Sequence, residues 1–278
     1  MTNVSRPLLA VFAHPDDESF GTGGTLSRYA AEGHPIALVC ATRGEVGEIS
    51  DPSLATPQTL GRVREGELRA AARALGIQEV ILLDYRDSGM DGTPENQDPR
   101  AFINAPEGEV VEHLTRIIRD LRPEIVLTFE PGGGYGHPDH IAISRYTTAA
   151  FHAASDPQRF PEAGPAFQPS RLFYTAIPTK FFTELRDRME ARGLDTSMLD
   201  QILLRPSFND DLITALMDVA AYNEAKWNAI NAHRTQFGPD NLFRRLPEDL
   251  VRDLMSREYF SQAHPLVNGE GISSDLFS

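Results

Sequence analysis

"LLAVFAHPDDESFGTGG", Leu8–Gly24, decides how this chain is to be read. Leu8–Ala13 is a short continuous apolar run, the pattern of a strand buried on both faces. A charged knot follows at once: His14, Asp16, Asp17 and Glu18. A second knot, "GGGYGHPDH" (Gly132–His140), also follows an apolar run, "EIVLTF". Two polar knots at two strand ends point to one site.

Between the knots, strand and helix patterns alternate. "GTLSRYAAEG" (Gly24–Gly33) reads as a helix stopped by glycine, and Pro35–Thr42 as a second strand. After a polar loop over 43–59, Leu60–Leu75 carries a helical stripe that ends at Gly76. Glu79–Tyr85 is a third strand. Residues 86–105 are a loop rich in Asp, Gly and Pro, and Pro106 suits the first turn of the next helix. Val110, Val111, Leu114, Ile117, Ile118 and Leu121 form that helix's apolar face, and "EIVLTFE" is the fourth strand. The alternation predicts an α/β fold, a Rossmann-like, mostly parallel sheet with helices on both faces. Right-handed crossovers place the strand C-termini on one rim, where such sheets bind ligands.

Beyond the second knot the pattern predicts a helix over Ile141–Ala154 and a strand over Arg171–Ile177. Helices are expected over Thr179–Gly193 and Asp210–Ile230, and a last one from Pro247. The tail Asn268–Ser278 reads as loosely ordered. The expectation is one domain over 1–278, with a core at 7–155 and a less regular C-terminal elaboration at 156–278.

Composition narrows the function classes. With 41% hydrophobic and 24% charged residues, the 278-residue chain has the mass for a sizeable core. Its net charge of −14, without a basic run interleaved with aromatics, argues against nucleic acid and anionic membranes as partners. No apolar stretch approaches the ~18 residues of a membrane span, and "MTNVSRP" is too short and polar for a secretory signal. Cys40 is the only cysteine, which excludes an intramolecular disulfide and fits a cytoplasmic setting. A small-molecule partner is expected; a homo-oligomer is left open.

The knots themselves carry chemistry. His14 and Asp17 are three residues apart, which in a turn puts both side chains on one side. With His140 on the same rim, two imidazoles and one carboxylate converge, the ligand count of an open catalytic zinc site. Fe2+ suits the same donors. Asp16, pointing elsewhere, is a candidate general base. His137 can bind metal, donate to an oxyanion or protonate a leaving amine, and Asp139 can orient a histidine. Tyr135, between glycines, can swing over the site and stabilise an oxyanion. A lone His-Pro-Asp is common in turns; two at strand ends of one sheet are not. His34, before Pro35 in a helix-to-strand turn, reads as structural and His113 as solvated on a helix's polar face; His152, His233 and His264 lack a partner pattern, and Cys40 reads as a small core residue. Gly21, Gly23 and Gly24 suggest a dinucleotide fold, but "GTGGT" is not G-x-G-x-x-G and the second strand lacks the ribose-binding acid. These glycines instead allow close packing at a helix start.

"AHPDDE" with "HPDH" resembles the LmbE-like, or PIG-L, family of zinc-dependent N-acetylglucosaminyl deacetylases, well over about 7–150 and loosely beyond. "RGEVGE" (43–48), "REGEL" (64–68) and "RDSGM" (86–90) look most like the mycothiol-biosynthesis subgroup, which deacetylates a GlcNAc-inositol. The resemblance implies His14, Asp17 and His140 as metal ligands, Asp16 as general base, Tyr135 and His137 at the tetrahedral intermediate, and Asp139 beside them. It further implies that Arg64 and Asp87 hold sugar hydroxyls or the aglycone, with Glu45 and Met90 lining the pocket. GlcNAc-malate, chitobiose and glycopeptide sugars are the family's other substrates. The related amidase of thiol S-conjugates carries a lysine soon after its HPDDE; "SFGTGG" stands here, which counts against that activity. A zinc-dependent sugar-binding protein without turnover is the remaining alternative; the presence of Asp16 and Tyr135 argues against it.

Overall fold

Five apolar runs form the parallel part of the sheet: β1 (Leu8–Phe12), β2 (Ile36–Thr42), β3 (Glu79–Tyr85), β4 (Ile125–Phe129) and β5 (Arg171–Ala176). Two more, β6 (Ala215–Asp218) and β7 (Arg257–His264), complete it. The structure is a computed structural model that describes residues 6–203, 209–239, 241–267 and 271–278. Among the described residues the strand order is β3-β2-β1-β4-β5-β7-β6, with β7 antiparallel to both neighbours.

The first helices are a single turn, α1 (Asp17–Phe20), then α2 (Gly23–Ala31), α3 (Leu60–Leu75), α4 (Glu107–Leu121) and α5 (Pro138–Ala154). The C-terminal part adds α6 (Thr179–Glu190), α7 (Ser197–Leu203), α8 (Asn223–Ala232), α9 (Leu242–Arg245) and α10 (Glu248–Leu254). Successive strand residues face opposite ways, so β1 feeds two cores. Leu8, Ala10 and Phe12 pack with Leu26 and Tyr29 of α2 and Leu68 and Leu75 of α3. Leu9 and Val11 pack with Val110, Leu114 and Ile118 of α4 and Ile143 and Phe151 of α5. Both faces of β1 are thereby buried, as its uninterrupted apolar run requires.

The second half departs from the helical expectation. Asp210–Ile230 is not one helix: a 3-10 turn at Asp210–Leu212 leads into β6, and α8 begins only at Asn223. Ala215, Met217 and Val219 are buried while Leu216 and Asp218 are less so, an alternation of period 2. Pairing with β7 selects that period over the competing helical one. The strand β7, REYFSQAH, had neither an apolar run nor a regular alternation to announce it; it is a strand because it pairs with antiparallel partners on both sides. The tail is ordered where described: Ser273 pairs with Ala215, and Leu276 and Phe277 are buried in the cluster that holds Leu8 and Tyr29. Asn268–Glu270 lie outside the described residues.

The glycines at the α2 start have a packing cause. A Cβ on Gly24 would lie 2.5 Å from Val219, so the helix meets the C-terminal part by backbone approach. Glu258 of β7 fastens the same point. Its carboxylate accepts the Gly24 and Thr25 N–H groups at 2.9 and 2.7 Å, and Lys226 Nζ of α8 at 2.7 Å. Lys226 and Glu258 are both almost fully buried. Breaking such a pair from one side strands a charge, at a cost of about 3–5 kcal/mol. Glu258→Ala is therefore expected to lower unfolding stability by about that amount, measured by denaturant titration, whereas Arg188→Ala, which removes an exposed surface pair with Asp253, changes it by less than about 1 kcal/mol.

Candidate active site

Strand order reverses between β1 and β4, which are hydrogen-bonded neighbours, and the crevice at their C-terminal ends is where such sheets bind ligands. The first knot leaves β1 and the second leaves β4, so adjacency of the two strands joins residues 126 positions apart. His14 Nδ1 lies 3.1 Å from His140 Nε2. Asp17 completes the group, with Oδ1 3.3 Å from His140 Nε2 and Oδ2 3.8 Å from His14 Nδ1. His14 and His140 are buried.

The outer nitrogens of both rings are already committed. His14 Nε2 donates to Asp139 Oδ2 at 3.1 Å, with Asp87 Oδ1 at 3.5 Å. His140 Nδ1 donates to the Gly133 carbonyl at 3.2 Å. Carboxylates and carbonyls only accept, so in the neutral rings the two nitrogens that face each other present lone pairs. Two lone pairs at 3.1 Å beside a carboxylate call for a cation between them. A tetrahedral ion with bonds of about 2.0–2.2 Å separates its donors by about 3.3–3.6 Å, close to the spacing found. His14, His137 and His140, and likewise His14, Asp87 and Asp139, also bring ligand atoms within 4.8 Å of one another. Of these sets, His14, His140 and Asp17 have the free lone pairs; the outer carboxylates serve the far side of the His14 ring. The residues present fit a metal ion.

Without a metal, the surrounding carboxylates favour a proton in its place. Burial pulls the His14 imidazole down, but its bonds to Asp139 and Asp87 override this and hold its pKa well above the usual histidine range. Burial pushes Asp17 up, yet His140 and His14 and a bond from the His14 N–H hold it well below the usual carboxylate range. Asp17 Oδ2 accepts the backbone N–H of His14 at 2.7 Å and of Ala13 at 3.2 Å, which aims its other oxygen at His140. Asp16 differs: burial is the main cause that pushes it up to about 6, against the pull of Arg64 and with the help of neighbouring Asp17. Its carboxylate retains 22% exposure and is not tied to either histidine.

His137 caps α5, its Nδ1 accepting the Asp139 N–H at 3.1 Å. Burial first, then the charges on His14 and His140, push it down to about 4. It is neutral near pH 7, with its free N–H on Nε2. Tyr135 is 61% exposed, its ring centre 5.0 Å from that of His140, within a run of left-handed glycines at 133, 134 and 136. Asp139 is fully buried; it also accepts the Ser88 N–H, while its Oδ1 has no partner.

The residues singled out by resemblance lie at the same rim with unequal access. Arg64 is buried, donating to the carbonyls of Gly44 and Pro15 at 2.9 and 2.6 Å and to Asp16 Oδ2 at 3.2 Å. A Cβ on Gly44, which has φ +63°, would lie 2.0 Å from this guanidinium. Asp87 is buried against His14 and accepts the Gly89 N–H. Glu45 is half-buried and accepts the Asp87 N–H. Met90 is 47% exposed. Arg64 and Asp87 thus spend polar atoms on the protein's own network.

Glu18 and His233 were not anticipated. His233 is fully buried, and its Nε2 meets Glu18 Oε1 at 2.7 Å. Glu18 belongs to the first knot, so its motif was a signal; His233 lies 215 positions away with no local pattern.

A Rossmann-like sheet thus carries an open His/Asp cluster, fit for a metal ion, at its switch point. Comparison with known proteins gives the family. Residues 9–151 match the PIG-L family, described as GlcNAc-PI de-N-acetylase, and the chain belongs to it. It is 38% identical to the 1D-myo-inositol 2-acetamido-2-deoxy-alpha-D-glucopyranoside deacetylase of Geodermatophilus obscurus, over 99% of this chain and 98% of that one. The protein of the same name from Thermobifida fusca is 39% identical, over 98% and 99%. Among solved structures, N,N'-diacetylchitobiose deacetylase from Pyrococcus horikoshii shares the fold, with a TM-score of 0.66, 22% identity, and coverage of 93% of this chain and 84% of that one. Among the described residues no helix is long and apolar enough to cross a membrane.

The facing lone pairs set an expectation for metal binding. Asp139→Ala frees the far side of the His14 ring and is expected to weaken zinc binding roughly 10–100-fold, measured by competition with a chelating dye. Acidification is expected to weaken it as well, since protons and metal compete for the same two nitrogens.

Proposed function

We propose that this protein hydrolyses the N-acetyl group of a GlcNAc-inositol, releasing acetate and a free glucosamine amine. The observation that supports this most is end-to-end similarity to two deacetylases named for that substrate, which extends through the C-terminal part where no motif is recognisable. In this reading His14, Asp17 and His140 would hold zinc. When bound, the ion would supply Lewis-acid polarisation of the acetamide carbonyl and lower the pKa of water.

The chain's own residues supply the proton transfers. Asp16 is the partly exposed carboxylate beside the cluster, and takes the proton of the attacking water. A pKa near 6 lets it hold that proton and then deliver it to the departing amine. His137, pushed down to about 4, is too weakly basic to carry a proton at neutral pH. Its role is to donate its Nε2–H to the developing oxyanion. Tyr135, exposed on its glycine loop, closes over the intermediate from the solvent side. Arg64 holds the Asp16 carboxylate, and Glu45, Asp87 and Met90 line the approach.

Asp16→Asn is expected to lower kcat by about 10²–10⁴-fold with zinc still bound at one per chain. Amine release from GlcNAc-inositol, GlcNAc-malate, free GlcNAc and diacetylchitobiose, with metal-stripped and reloaded protein, tests the substrate. Zinc-dependent release from GlcNAc-inositol is the expected result; cleavage of a thiol S-conjugate with no acetate formed would overturn it. A base must be ionised to act, so kcat/KM should fall tenfold per pH unit below the pKa of Asp16, which is about 6 before a metal binds. A bound cation moves that limb to lower pH, never higher, because it favours the carboxylate.

A further inference from the structure

Asp16 has a backbone that needs holding. Its φ of 113° and ψ of −27° lie in the left-handed region, which a residue with a Cβ adopts only under constraint. The turn aims Asp16 away from Asp17, which faces the histidine cluster. Two groups grip it. Arg64 holds the side chain from one end. At the other, Glu18 Oε2 accepts the Asp16 N–H at 3.0 Å. Glu18 is itself fully buried, and its second oxygen takes the Ser19 hydroxyl and His233 Nε2. His233 follows directly after α8, and Glu67 of α3 fastens its neighbourhood by accepting the Thr235 N–H and hydroxyl at 2.9 and 2.6 Å. A buried carboxylate paired with a buried imidazole is costly unless its geometry matters. None of these groups reaches the cluster of His14, His140 and Asp17 among the contacts present.

We propose that the Glu18–His233 pair is a positioning pair for Asp16, locking the strained turn that aims its carboxylate; this rests on Asp16 being the general base. His233 reaches Asp16 only through Glu18, so the C-terminal part of the chain sets the placement of a group in the N-terminal motif. Misplacing a catalytic group by about an ångström costs about 100-fold. The loss falls on kcat, because both residues are buried and act through Asp16.

The test uses full-length, zinc-loaded protein with the most active member of the acetamido-sugar panel. His233→Leu removes the N–H and is expected to lower kcat by about 10–100-fold, with KM within about twofold and zinc still at one per chain. His233→Gln, whose amide can replace the Nε2 donor, should recover most of that loss. In an Asp16→Asn background His233→Leu should change the residual rate by less than about twofold, since the pair acts through the group already removed. Full additivity there, or a raised KM with unchanged kcat, would overturn the proposal. So would a Gln variant no better than Leu. Should His233→Leu not fold, Glu18→Gln carries the same comparison in both backgrounds. Near-full turnover of Asp16→Asn alone would instead remove the general-base reading, and is distinguishable because it needs no change at His233.

Discussion

Two imidazole nitrogens face each other at 3.1 Å, close enough to share one cation, a proton or a metal ion, and the site is arranged around that constraint. Their rings are oriented from outside by partners that can only accept: Asp139 behind His14 and the Gly133 carbonyl behind His140. Phe129, at the end of β4, stacks on the His140 ring with centroids 4.1 Å apart and planes 7° from parallel. Asp139 is in turn held by the Ser88 N–H from the loop after β3. Three strand ends therefore act together to aim two nitrogens at one point. Parallel neighbours β1 and β4 bring them there, and the reversal of strand order leaves the crevice open.

Asp16 and Asp17 are adjacent in the chain and opposite in character. Asp17 is surrounded by histidines and backbone N–H groups, which favour its charge. Asp16 is turned away, and burial raises it to about 6. A pair of carboxylates whose environments drive their pKa values apart is how one site obtains both a permanent anion and a titrating base. The backbone at Asp16 is left-handed, and its side chain meets Arg64 while that of Asp17 meets the histidines.

The C-terminal part is more than a cover. It extends the sheet by β5, β7 and β6, seals one core with Leu276 and Phe277, and packs against the α2 start through Gly24, Lys226 and Glu258. It also delivers His233 to Glu18. The full-length similarity to the deacetylases of Geodermatophilus obscurus and Thermobifida fusca fits a fold in which these regions form one sheet.

What was legible in the sequence was local. Strands announce themselves as apolar runs, so β1 to β5 were placed within a residue or two, and the knots after β1 and β4 named the chemistry-bearing residues. Strand β6 was hidden because its few apolar residues satisfy a helical spacing as well as an alternating one, and β7 because partners on both sides, not an apolar run, make it a strand. The sequence alone determined the fold class and the residue types of the site, since short-range periodicity and motif spacing encode both. Only the tertiary structure decided which nitrogen faces which, that Arg64 serves Asp16, and that His233 completes the set. Those facts rest on contacts between residues 48 to 215 positions apart, and no local pattern carries them.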